Sequence, residues 1–227
     1  MTITKSCLTR ASGIAAALAG LIFIAVQVKH PAMNVNSVTT TQWAVRSTAK
    51  VIMATLALAG ITGMYLRQIR QMRVLGLVGY VLFGIGYLAI LSTEVIAVAV
   101  LPTLTHSSPV YVNNVLVAAF GGHPSGNIGG MQMLFDVSGV AYMVGGLLFG
   151  VALFRARVLA RWAAALLAIG TAATVALSVL PESFNRPMAV PTGVALIGLG
   201  ISLWRDQRAT SPEATPGTGR VEQLVTQ

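Results

Sequence analysis

Of the six acidic residues in this chain, four lie away from its apolar runs: Glu182 falls in a polar connection, and Asp206, Glu213 and Glu222 follow the last run. Glu94 and Asp136 remain, each inside a long apolar stretch. Keeping an ionisable group in hydrocarbon costs roughly 2.5 to 3.5 kcal/mol on insertion scales, so residues of this kind are functional candidates. A carboxyl that keeps its proton there can donate it to an apolar substrate, and the negative faces of nearby aromatic rings can stabilise the cation that forms. The same group can also load and release protons during transport. A third reading gives both acids a purely structural role, bonded to Ser92, Thr93, Ser138 or a backbone carbonyl.

The neighbours of the two acids repeat at helical spacing. Tyr80, Tyr87 and Glu94 recur every seven residues, with Gly84 and Leu91 between them, and share one helix face. Gln132, Asp136, Gly139 and Met143 form a second stripe, flanked by Phe135 and Tyr142. Glu94 and Asp136 both fall about 10 Å inside the outer ends of their runs at 1.5 Å per residue. The expectation is an apolar pocket lined by Tyr80, Tyr87, Phe135 and Tyr142, with the two carboxyls at its outer end.

Elements able to hold such a pocket follow from composition. Of 227 residues 55% are apolar and 9% charged, outside the range of soluble domains. Apolar runs at 11–28, 51–66, 74–101, 130–154, 162–180 and 188–204 predict an all-α fold, a polytopic membrane helix bundle of six transmembrane helices. This makes residues 1–205 one transmembrane domain and 206–227 a disordered tail of Pro, Gly, Thr and Glu. The first run lacks a small-x-small cleavage site and reads as an uncleaved signal anchor.

The net charge of +9 is explained by topology. With the N-terminus inside, eleven Lys and Arg fall in the cytoplasm, and Lys29, Arg46, Lys50 and Arg186 fall outside. This positive-inside bias predicts a cell-membrane protein with both termini cytoplasmic, and it removes the reason to invoke nucleic acid. The bilayer is the expected partner, and oligomeric state is not legible. Trp43, Trp162 and Trp204 read as interfacial anchors. Between the third and fourth runs, Val110 to Phe120 is too short to span and reads as an interfacial or re-entrant helix beside a flexible glycine-rich turn, 121–130. Glycines within the runs, Gly146 and Gly150 or Gly193, Gly198 and Gly200, suit close helix packing. His30, His106 and His123 have no metal-ligand spacing, and Cys7 has no cysteine partner, so neither a metal nor a cofactor is expected.

The stretches GGLLFGVALFRARVLARWAAALLAIG and LPESFNRPMAVPTGVALIGLGISLWR resemble a group of actinobacterial multi-span proteins, a likeness that implies a bacterial plasma membrane and brings no activity. Through intramembrane acids, size and helical content, the chain also resembles small membrane-integral terpene cyclases of meroterpenoid and indole sesquiterpenoid pathways. That family usually has seven spans where this chain shows six. It protonates an alkene or epoxide with intramembrane Asp and Glu, which here would be Glu94 and Asp136. The leading expectation is therefore an acid-initiated cyclase of a prenylated or isoprenoid hydrophobic substrate. A proton-coupled transporter or exporter and a non-catalytic accessory subunit are the alternatives.

Overall fold

The computed structural model describes residues 4–28, 33–174, 187 and 189–209, with side chains to residue 206. Among these residues there are nine helices and no strand: α1 (Lys5–Ala25), α2 (Val35–Val38), α3 (Thr41–Arg67), α4 (Ile69–Ala99), α5 (Leu101–Leu104), α6 (Pro109–Ala119), α7 (Gly130–Ala156), α8 (Arg161–Ala172) and α9 (Ala189–Ala209). Four of them, α1, α3, α4 and α7, are long and apolar enough to cross a membrane. At 1.5 Å per residue they reach about 32 to 46 Å, against a hydrocarbon core of about 30 Å. Their outward faces are apolar as well, with Val74, Val81, Leu88 and Val140 all exposed.

Local chemistry sets the helix limits. Thr4, Asn34 and Thr40 cap α1, α2 and α3, each side-chain oxygen accepting from a backbone N–H three residues on. Between α3 and the body of α4 the chain breaks twice, at Gln68 (φ −127°) and at Arg73 (φ 49°, ψ −150°). The basic turn at 67–73 is thus two sharp corners around one helical turn. At the end of α7, Arg157 adopts the left-handed conformation (φ 57°, ψ 24°) usually taken by glycine, and the chain turns back into α8.

Six helices pack as a closed ring: α1 against α3, α3 against α4, α4 against α7, α7 against α8, α8 against α9 and α9 back against α1. Glycines allow the closest approaches. Backbone atoms of Phe149, Phe83 and Tyr142 sit against Gly79, Gly145 and Gly86 where α4 crosses α7, and Gly13 and Gly20 meet Gly200 and Gly193 where α1 meets α9. The expected packing glycines hold their places too: Gly146 and Gly150 face Thr171 and Ala168, and Gly198 faces Trp162.

These registers put the start of α1 and the ends of α3 and α9 at one end of the bundle. There Arg67 Nε donates to Asp206 Oδ2 at 2.7 Å, and the Arg10 guanidinium lies 5.8 Å from the Trp204 ring centroid. Asp206 therefore belongs to a folded helix and an ion pair, not to a tail that begins at 206; residues 210–227 lie outside the described ones. Of the expected fifth span, α8 accounts for the first part, and 175–180 lie outside the described residues. Residues 189–204 of the expected sixth fall within α9.

The opposite end is capped by a second apolar cluster, in which Val112, Val115 and Leu116 of α6 pack with Val38, Trp43, Leu101, Ile128 and Met131. The expected short helix exists, and one face of it is buried in protein. The glycine-rich turn after it is pinned: Asn114 Oδ1 accepts from Ser125 N at 3.1 Å and Ser125 Oγ at 3.0 Å. Positive φ angles at Gly121 (79°) and Gly129 (60°) explain two of its glycines. Trp43 departs from the interfacial expectation: it is 6% exposed, and its indole N–H donates to Ala97 O at 2.9 Å.

Candidate functional site

The polar groups with a chemical option gather in the half of the ring near the α6 cap. The helix that carries the second apolar run, expected at 51–66, begins at Thr41, and this puts Arg46 and Lys50 in the helix and not in a connection. Trp43, Ser47, Lys50 and Ala54 follow one another at steps of three and four on the inward face of α3. Arg46 crosses to α1, where Nη1 donates to Val26 O at 2.8 Å and Nη2 to Val28 O at 2.7 Å, supplying the cation that the last turn of α1 lacks.

Lys50 crosses to α4. Its Nζ donates to Glu94 Oε1 at 2.9 Å, and the two side chains are only 24% and 17% exposed. Sequence reasoning singled out Glu94 but missed its counter-ion. The pair is close to neutral as a unit, which lowers the cost of holding two charges between helices.

Asp136 has different surroundings. The α4–α7 register that pairs Phe83 with Gly145 and Gly86 with Tyr142 sets Glu94 level with Leu134, two residues or about 3 Å from Asp136 along the axis. The two acids therefore lie at a similar level along the two packed helices. Their directions differ. Nine residues before Gly145, Asp136 lies about half a turn around α7 from the face that meets α4. It is exposed, with Gln132 Nε2 donating to its Oδ1 at 3.0 Å. Among the described residues no hydrogen bond joins Glu94 to Asp136; each acid has a partner of its own.

Three of the four expected ring residues come together. Tyr87 and Tyr142 meet edge to face, with centroids 5.6 Å apart, and both contact Phe83. Tyr80 stacks on Tyr65 at 4.6 Å and is tilted against Phe149 at 6.5 Å. The Thr62 hydroxyl donates to Leu58 O at 2.7 Å, so the 3.1 Å contact between Thr62 Oγ1 and Tyr80 Oη is donated by the tyrosine. Phe135 stands apart, packed on the α6 cluster. Tyr65, Phe83 and Phe149 were not anticipated. At seven residues from Tyr87, about 10 Å along α4, Glu94 sits above this aromatic group, toward the α6 cap. The Tyr87 hydroxyl is buried against Tyr142.

His106 and His123 are exposed in the cap region, and His30 lies outside the described residues. Among the described residues no three His, Cys, Asp or Glu side chains converge as a metal site.

Fold and site together define a class: an all-helical bundle with four helices of membrane-crossing length and a charge pair set between two of them. No protein-family model, curated protein or solved structure matches the chain.

Proposed function

We propose that this chain is a plasma-membrane transporter of six spans, with both termini cytoplasmic, that couples movement of a hydrophobic small molecule to proton exchange at Glu94. The Lys50–Glu94 pair carries the reading. Such a pair bridges two spans while closed. A proton arriving at Glu94 neutralises the carboxylate, frees Lys50 and loosens α3 from α4, so protonation and helix separation are the same event. Cytoplasmic ends and spans five and six rest on the basic bias and on the placement of α8 and α9 in the ring.

Acid-initiated cyclisation of an isoprenoid is the second reading. Asp136 favours it, as an exposed carboxyl on the outer face of α7 with access from the lipid side. In that reading Tyr80, Tyr87 and Tyr142 supply the rings.

Proteoliposomes with an imposed pH gradient and entrapped ethidium, a lipophilic cationic probe, separate the readings. Transport predicts dye movement that follows the gradient and falls at least about ten-fold in Glu94→Gln and in the double variant Lys50→Gln/Glu94→Gln, which leaves no unpaired charge. Movement of dye equal to protein-free vesicles, alongside cyclised product from a farnesylated acceptor that Asp136→Asn abolishes, overturns transport in favour of cyclisation.

A further inference from the structure

On the outside of the ring, between α7 and α8, lies a groove of about 590 Å³ that has no part in the ion pair or the aromatic group. Leu147, Val151 and Phe154 form one wall, and Ala165, Ile169 and Ala172 the other; every residue lining it is apolar. Its floor is set by the close approach of the two helices, Gly150 on Ala168 and Gly146 on Thr171. The volume falls within the range of small-molecule clefts. The groove follows residues 147–154 of α7 and 165–173 of α8, about 10 to 12 Å along the helix axes, a length that accommodates much of one acyl chain.

The turn joining α7 to α8 is basic. The Arg161 guanidinium, at the start of α8, lies 4.2 Å from the centroid of the Phe154 ring at the foot of the groove, with Arg155 in the last turn of α7 and Arg157 just after that helix. All three are exposed, and among the described residues no carboxylate pairs with any of them. The turn itself is held in place: Ser202 Oγ of α9 accepts from Ala160 N at 2.9 Å. Arg157 has a left-handed backbone that glycine would adopt at lower energy.

We infer that the α7–α8 groove is a binding site for an anionic phospholipid, with one acyl chain along the groove and the phosphate against Arg161, Arg155 and Arg157. Basic pockets between membrane helices select anionic headgroups through charge and the paired donors of guanidinium. A second copy of the chain in the same orientation is a poor occupant, because its own arginine turn would lie at the same level and repel this one. The inference uses the membrane setting of the helices and is independent of what Glu94 does.

Native mass spectrometry of the purified full chain tests it, with dioleoyl phosphatidylglycerol and dioleoyl phosphatidylcholine as probes of equal chain length. The expected result is retention of phosphatidylglycerol over phosphatidylcholine. Arg161→Ala should weaken the first by about five-fold and the triple Ala variant of Arg155, Arg157 and Arg161 by about a hundred-fold. Ala165→Trp, which fills the groove, should lower retention of both lipids. Arg157→Gly removes one charge while relieving the backbone, so its selectivity should drop with no fall in the circular-dichroism melting temperature. Equal retention of the two lipids by the native chain overturns the proposal, as does selectivity that survives both the triple Ala variant and Ala165→Trp. Glycerol 3-phosphate displacing the lipid at equal concentration reduces the site to a simple anion contact and also overturns it. Disulfide-linked dimers from a Cys7→Ser/Ile169→Cys variant would make the groove a protein interface and do the same.

Discussion

At the scale of single residues, Lys50 and Glu94 illustrate how a buried charge depends on its partner. Removing one leaves the other uncompensated between α3 and α4, so Glu94→Leu or Lys50→Met alone should destabilise the bundle by about 3 to 5 kcal/mol. Replacing both with apolar residues of similar volume should recover most of that, and the double-mutant cycle, measured by unfolding in mixed micelles, should show coupling of about 1 to 3 kcal/mol. Additive losses would mean the 2.9 Å contact carries no energy. Half of this pair was legible in advance. Glu94 stands alone in an apolar run and could not be overlooked, whereas Lys50 was hidden by the polar text around it, TQWAVRSTAK, which reads as a connection. The available signal was periodic: Trp43, Ser47, Lys50 and Ala54 keep helical spacing through the polar stretch, after the capping Thr40. For Asp136 the sequence had no means to show rotation about the helix axis, since one residue's turn is about 100°.

Among the elements, the α4–α7 crossing bears most on the site, because it sets Glu94 and the aromatic group at their levels. Its closeness depends on glycines whose missing side chains are replaced by the neighbouring backbone. A Cβ at Gly86 would lie 2.6 Å from Tyr142 N, and one at Gly79 would meet the backbone of Phe149. Gly86→Val and Gly79→Val should each cost about 1 to 3 kcal/mol or more, with the helices forced apart. Gly84 and Gly139, on the same two helices, have nothing within 4 Å of an added Cβ. Gly84→Ala and Gly139→Ala should therefore be neutral or gain up to about 1 kcal/mol from helix propensity. Melting the four variants side by side checks this, and equal losses at all four sites would sink the packing argument. Long apolar runs made α1, α4 and α7 easy to read, and hydrocarbon thickness explains why. Elements whose environment is protein were harder: a second cluster buries Trp43 and one face of α6, a tertiary fact that no local pattern encodes.

For the molecule as a whole, the ring closes α9 onto α1 and collects Arg10, Arg67, Trp204 and Asp206 at one end, opposite the α6 cap. That end is the basic one, and the topology proposed above, which rests on the positive-inside bias, places it in the cytoplasm. Cys7 is exposed there and is the chain's one cysteine, so the native protein carries its own reporter. A membrane-impermeant maleimide should label Cys7 only after the cells are permeabilised. In a Cys7→Ser background, Asn36→Cys, exposed beside the cap, should label in intact cells, and Arg205→Cys, exposed near the end of α9, only after permeabilisation. These three positions fix orientation but not span number, since four crossings and six both return the C-terminal helix to the starting side. Glu182→Cys decides that point. If α8 and α9 both cross, it labels from outside; if the four longest helices are the only crossings, it labels from inside with Cys7, and the closed ring would have to dip into the membrane from one face.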